Sequence, residues 1–252
     1  MSKRDPAGYY PIPELGENVR FVSVTTVLGI LRKHFLEQWK IDTSVDYLYN
    51  NTWKPYLDGD ITFQQVCEID FQKVIDDAKH ESQAVSKEAK DFGSRLHAAL
   101  DLYHKTGAWP VEADLHEPFK KAIEKEAEIG LGVIESESVV YSKTYRYAGT
   151  LDMIASIEGG SKVGLFDYKT FNGKDGKKPK VYPEWKQQLG AYVYAWEEMH
   201  PRKPMLDFGT IHAINRETAE ITPFVFKRTD LIQPTNEFIA LVNYFNICRR
   251  GK

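Results

Sequence analysis

The 252-residue chain is 42% hydrophobic and 27% charged, a globular composition that excludes a disordered or collagen-like polymer. Its formal net charge of −3 excludes wholesale coating of nucleic acid, while a local basic face stays open. Two distant cysteines, Cys67 and Cys248, exclude a four-thiolate metal site, and no apolar run approaches the ~18 residues of a membrane span.

Residues 1–20 read as an irregular arm broken by proline. Ser23-Val-Thr-Thr-Val-Leu carries a Ser or Thr N-cap signal and opens helical text that runs, with interruptions, to about Tyr49. Further helical periodicity covers roughly 63–75 and 82–104, and Lys105-Thr106-Gly107 ends it. Residues 114–129 form another candidate helix. There Glu117, Glu124, Glu126 and Glu128 alternate with lysines, which reads as a solvated face. After Gly130 the text turns to β-branched and aromatic runs at 133–141, 147–157 and 162–170. A basic loop, 171–183, leads to a helix at about 184–200. Strand candidates at 208–215 and 220–226 and a helix near 235–248 close the chain. The expected class is α/β, with a central mixed, largely antiparallel sheet flanked by helices. A helical segment (1–90) is expected to pack on a core (91–252) as one continuous unit. The missing apolar leader and the sparse cysteines point to an intracellular location, cytoplasmic for a bacterial or phage-encoded chain, with no membrane partner.

The run Glu158-Gly159-Gly160-Ser161 separates two strand candidates, and Gly-Gly is a two-residue hairpin signal because primed turns need positive φ. A turn centred there places Asp152 opposite Asp167, with Cβ atoms about 4.5–5.5 Å apart. Lys169, two residues on, shares the face of Asp167. Paired carboxylates in apolar strands repel each other and resist desolvation, so a cation must compensate. Lys169 alone supplies the plainer answer. A hard divalent ion supplies the sharper one, which we favour. A loop centred between Thr144 and Tyr145 places Glu137 opposite Asp152. Glu135 has the same strand parity, so alternation alone does not separate the two.

Asp152 followed by Asp167-Tyr168-Lys169 on the next strand resembles the PD-(D/E)XK nuclease core. Gly93-Ser-Arg-Leu-His97, Glu137, Gly149-Thr-Leu-Asp152-Met-Ile and Gln188-Leu-Gly-Ala-Tyr192 stand in the order found in RecB-type nucleases. Ser23-Val-Thr-Thr-Val-Leu and Leu36-Glu-Gln-Trp39-Lys look like the N-terminal segment of mitochondrial-genome-maintenance and phage single-domain exonucleases. The spacing from Glu137 to Asp152 also fits that group and favours Glu137 over Glu135. The cysteines that some relatives use for an iron–sulfur cluster are absent, and no phosphate-binding loop of the Gly-x4-Gly-Lys-Ser/Thr type exists, so neither a cluster nor a nucleotide cofactor is expected.

The resemblance implies a restriction-endonuclease-like core and a Mg²⁺- or Mn²⁺-dependent deoxyribonuclease using one or two ions. It makes Asp152 and Asp167 the principal metal ligands, with His97, the Tyr168 carbonyl and a supporting Glu137, and gives Lys169 the water and the transition state. Gln188 and Tyr192, one helical turn apart, would position substrate. Lys174, Lys177, Lys178 and Lys180 would meet phosphates, and Phe171 and Tyr182 would stack on bases. Asp101, four residues after His97, would orient its ring. The expected substrate is single-stranded or end-containing DNA, in repair or recombination with a protein partner of unknown identity. A nicking or structure-specific endonuclease and a vestigial DNA-binding protein are the alternatives. A paired-carboxylate glycosidase has no use for Lys169.

Overall fold

The computed structural model describes residues 4–31, 34–173 and 178–250. The first part of the chain forms β1 (Tyr9–Pro11), β2 (Arg20–Ser23), α1 (Val24–Leu28), α2 (His34–Asn51), α3 (Trp53–Leu57), α4 (Phe63–Cys67) and α5 (Phe71–Thr106). Then follow α6 (His116–Glu128), β3 (Gly132–Ser142), β4 (Tyr147–Ile157), β5 (Lys162–Phe171), α7 (Pro183–Met199), β6 (Phe208–Asn215), β7 (Ile221–Lys227) and α8 (Ile232–Arg250). This is an α/β protein with a mixed seven-stranded open sheet flanked by helices, consistent with a restriction-endonuclease-like core.

Residues 1–30 and 93–252 make one compact unit, and residues 31–92 make a second. The second unit is helical. A capping box starts α4, with the Thr62 hydroxyl accepting from the Gln65 N–H and the Gln65 side chain accepting in return. Residues 1–30, expected with the helical segment, instead belong with the sheet. The arm read as irregular pairs with itself, Tyr9 opposite Val22 and Tyr10 opposite Phe21, and β2 then adds in parallel to β4. Its strands are three and four residues long, too short to show period-two patterning. The stretches expected as helices at 63–75 and 82–104 become α4 and a single 36-residue α5. No Gly or Pro stands between Phe71 and Phe92 to break it. Residues of α5 from Gly93 onward belong to the sheet unit.

The strand order is β1-β2-β4-β5-β6-β7, with β3 also on β4. Parallel pairing of β2 with β4 and of β5 with β6 makes the sheet mixed, and the other four pairings are antiparallel, as expected. The β5–β6 connection is the crossover helix α7, as parallel neighbours require. Pro183 starts α7 and Glu184 sits in its first turn.

Strand β4 decides where chemistry can sit. Strand β3 occupies one side of it from Tyr147 to Ser156. On the other side β2 covers only Tyr147 and Ala148, and β5 covers only Met153–Ile157. Residues 149–152 therefore lie between two neighbours, at the point where β4 and β5 part. Buried Tyr147, Leu151, Met153, Ile154, Leu165 and Phe166 fix the sheet around that opening. Gly149 lets α7 close on it, since a Cβ there would stand 2.5 Å from the Tyr192 ring.

Candidate active site

The hairpin register is the one read from the sequence. Met153 faces Phe166 and Ile157 faces Lys162, so the same alignment puts Asp152 across from Asp167. The turn itself differs. Glu158, Gly159 and Gly160 all have positive φ and form a four-residue loop with Ser161, centred where the two-residue turn was expected. On the other side Ser136 faces Met153 and Ser138 faces Leu151, which aligns Glu137 with Asp152.

Glu137 has φ 45°, outside the extended region, and so departs from strand alternation. This separates the two glutamates that share parity. Glu135 accepts from the Trp196 Nε1–H at 3.2 Å and from Lys203 at 3.0 Å. Glu137 instead joins His97 and Asp152, with one ligand atom from each lying within 4.8 Å of the others. Burial, then the charge of Asp152, pushes the Glu137 carboxyl up to about 7.

Asp152 is the hub. Its Oδ1 lies 3.3 Å from His97 Nδ1, and its Oδ2 accepts the Tyr168 backbone N–H at 2.7 Å. Burial pushes this carboxyl up, but His97, Lys169 and the Tyr168 N–H together hold it below the usual range. The His97 ring shows the converse: burial pulls it down, and Asp152 outweighs that to raise it.

Asp167 stands outside the three-residue group. Its side chain is only 3% exposed, with Oδ2 2.5 Å from Lys169 Nζ, and its buried Oδ1 has no hydrogen-bond partner. Burial first, and Asp152 among the charges, push it up to about 6 despite Lys169. Helix α5 reaches this strand through Gly93, where a Cβ would stand 3.1 Å from Thr170 Oγ1.

Gln188 Nε2 donates to the Tyr192 hydroxyl at 3.1 Å on α7. Tyr192 is buried, and burial raises its hydroxyl well above the usual range. Lys178 and Lys180 are exposed, while Lys174 and Lys177 lie outside the described residues. Tyr182 meets Trp185 edge-on with ring centroids 5.1 Å apart. Asp101 does not orient His97; it accepts from Ser136 Oγ at 2.7 Å and from Lys105.

Sequence reading missed Glu126 altogether. Read as part of a solvated face, it is buried: Oε1 accepts the Tyr168 hydroxyl, and Oε2 lies 2.9 Å from His104 Nε2. The signal was its place on the apolar stripe of α6, after Phe119 and Ala122. His97, Asp101, His104, Glu137, Asp152 and Tyr168 line a cavity of about 10 Å³, space for one water.

The donors fit a divalent cation. His97, Glu137 and Asp152 each offer one ligand atom to a divalent ion, and Asp167 Oδ1, outside that group, is a buried acceptor without a hydrogen-bond partner. No helix among the described residues is long and apolar enough to cross a membrane.

No family model and no curated protein sequence matches the chain. Among solved structures it is similar to an alkaline exonuclease, LHK-Exo, from Laribacter hongkongensis. The identity is 16% and the TM-score 0.29, over 63% of this chain and 85% of that one. The same exonuclease in complex with dAMP gives 15% and 0.31 over the same shares. A protein described as SSO0001 gives 15% and 0.29, over 49% of this chain and 57% of that one. Likenesses this loose say nothing about chemistry, which rests on the residues just described.

Proposed function

We propose that the chain is a metal-dependent deoxyribonuclease that hydrolyses phosphodiester bonds as an exonuclease on single-stranded or frayed DNA ends. The observation that carries this reading is the excess of buried acceptors at one point. Glu137 and Asp152 group with His97, and Asp167, set opposite Asp152 by the register, keeps one buried oxygen orphaned while Lys169 takes the other. Such an arrangement is costly in a resting protein and suited to holding a cation.

Asp152, Asp167 and His97 would hold Mg²⁺ or Mn²⁺, with the Tyr168 carbonyl as a further ligand and Glu137 in support. The bound ion supplies an activated water and neutralises the charge that develops on the phosphate. Lys169, held by Asp167, would orient the attacking water and donate to the phosphate oxygens. Gln188 and Tyr192 support the substrate side, and Lys178 and Lys180 draw in the backbone electrostatically.

End-labelled linear DNA and closed circles, incubated with Mg²⁺, Mn²⁺ or EDTA, test the reading. Metal-dependent release of short products from linear strands alone is expected. Cutting of closed circles would replace the exonuclease with an endonuclease. Undiminished cutting in EDTA would remove the metal, and no cutting under any condition would leave a DNA-binding protein.

A further inference from the structure

Helix α6 buries Pro118, Phe119, Ala122 and Glu126. Three of these are core residues of the ordinary kind. The fourth is a carboxylate whose side chain is 8% exposed, against a His104 side chain 6% exposed. Desolvating that carboxylate costs free energy that an apolar side chain at the same place would not. Both its oxygens are nevertheless matched, one to the Tyr168 hydroxyl and one to His104 Nε2. What the cluster holds in place therefore matters more than what it adds to stability.

It holds Tyr168, the residue between Asp167 and Lys169. The β4–β5 ladder stops at Met153 and Phe166, so ladder hydrogen bonds no longer set Asp167 and Lys169 against Asp152. Strand β5 stays paired with β6 through Phe171, and β4 keeps β3 on its other side, but no ladder joins β4 to β5 there. Across the gap, the Tyr168 N–H donates to the Asp152 side chain at Oδ2. The Tyr168 ring meets His97 edge-on with centroids 6.4 Å apart and His212 at 5.6 Å.

Helix α5 supplies the other half. His97, Asp101 and His104 follow at spacings of four and three, so they share one face. His97 reaches Asp152 on β4, Asp101 takes the Ser136 hydroxyl beside Glu137 on β3, and His104 meets the Glu126 that grips β5.

We propose that Glu126, braced by His104, is a positioning residue that clamps Tyr168 and so presents Asp167 and Lys169 to Asp152 where the ladder has ended. Its effect on catalysis rests on the nuclease reading above, while the clamp itself is a property of the fold. It touches no substrate and acts only through Tyr168.

The test uses the full chain with Tyr168→Phe, Glu126→Leu and Glu126→Gln. The first deletes one oxygen, and the third keeps an amide able to accept from the phenol and donate to His104 in its other tautomer. Amide hydrogen exchange is read at Tyr168 and at Leu165 inside the ladder. Single-turnover cleavage is read at saturating Mn²⁺, well below each melting temperature.

Tyr168→Phe and Glu126→Leu should speed exchange at Tyr168 about tenfold and leave Leu165 unchanged. Cleavage should fall about ten- to a hundredfold, as small misplacements do, and extra Mn²⁺ should not restore it. Glu126→Gln should return both readouts to within about threefold of wild type, because its hydrogen bonds survive. A lower melting temperature with unchanged Tyr168 exchange and unchanged cleavage overturns the clamp and leaves the nuclease reading intact. If wild type itself does not cleave, that reading falls, and the Tyr168 exchange rate decides the clamp alone. Should Glu126→Leu fail to fold, Tyr168→Phe alone decides between the two outcomes.

Discussion

Glu126 and Asp167 are both nearly sealed from solvent and lie on either side of Tyr168, yet they are wired in opposite ways. Glu126 has both oxygens matched, by a phenol and an imidazole. Asp167 has Lys169 on one oxygen and nothing on the other, and with Asp152 across the gap its carboxyl is pushed up to about 6. A matched buried carboxylate fixes neighbours in place, whereas an unmatched one beside other acids is held in a state that a ligand would relieve. On the reading proposed above, the difference separates scaffold from site.

The largest expected effect breaks the comparison on the site side. Asp152→Ala and Asp167→Ala should each cut metal-dependent hydrolysis by about a thousandfold or more, several kcal/mol of lost transition-state stabilisation. Single-turnover assays across a Mn²⁺ titration measure it, and a rate within tenfold of wild type would take that residue out of the reaction.

Lys169→Ala comes next, with a loss of about a hundredfold in the chemical step, while the protein still binds Mn²⁺ and DNA. Lys169→Arg should not restore the rate, since a planar fork does not replace a compact ammonium. Recovery of Lys169→Ala at high Mg²⁺ would reduce Lys169 to a counter-ion.

Stability sharpens the contrast with the sign reversed between the two clusters. In EDTA at pH 8, Asp167→Asn should melt higher than wild type, because it removes a buried charge that the fold disfavours. Glu126→Ala should melt lower by about 1–3 kcal/mol, since it strands the Tyr168 hydroxyl and His104. Two shifts in the same direction would show that the clusters are not wired differently after all.

The smallest effect is the pH dependence of the metal-free protein. Glu137 is raised from 4.5 to about 7 and Asp167 from 3.8 to about 6. The folded state thus binds these protons more tightly than the unfolded state does. Their contribution makes the protein more stable near pH 5 than near pH 8, with the loss accruing as pH rises through the unfolded values to the folded ones. Asp152 works the other way, adding stability that is lost as pH falls below its ordinary range. Thermal melts in EDTA should fall between pH 5 and pH 8, and Mn²⁺ should lift the pH 8 value most. A flat or rising profile in EDTA would contradict the crowding at Glu137 and Asp167.

Several of these features are legible in the amino-acid sequence. Gly159-Gly160 marks the centre of the β4–β5 turn, and a register then follows for every residue on both strands, Asp152 and Asp167 included. The softer turn at Thr144-Tyr145 is centred correctly for the same reason. Strand parity could not separate Glu135 from Glu137. The spacing from Glu137 to Asp152 favoured Glu137, and the structure groups Glu137 with His97 and Asp152 while Glu135 accepts from Trp196 and Lys203.

Sequence by itself determined the local quantities, namely hairpin register, the spacing of Asp167 and Lys169, and the helical faces carrying His97 and Gln188. Each depends on chain geometry over a few residues. Tertiary structure decided what depends on distant segments meeting. It brought the arm at residues 9–23 to the sheet, turned Asp101 toward Ser136 and buried Glu126 against Tyr168 and His104. A charged residue on a helix gives no local sign of what will cover it, because burial is set by whatever packs there, and only the folded chain brings that partner.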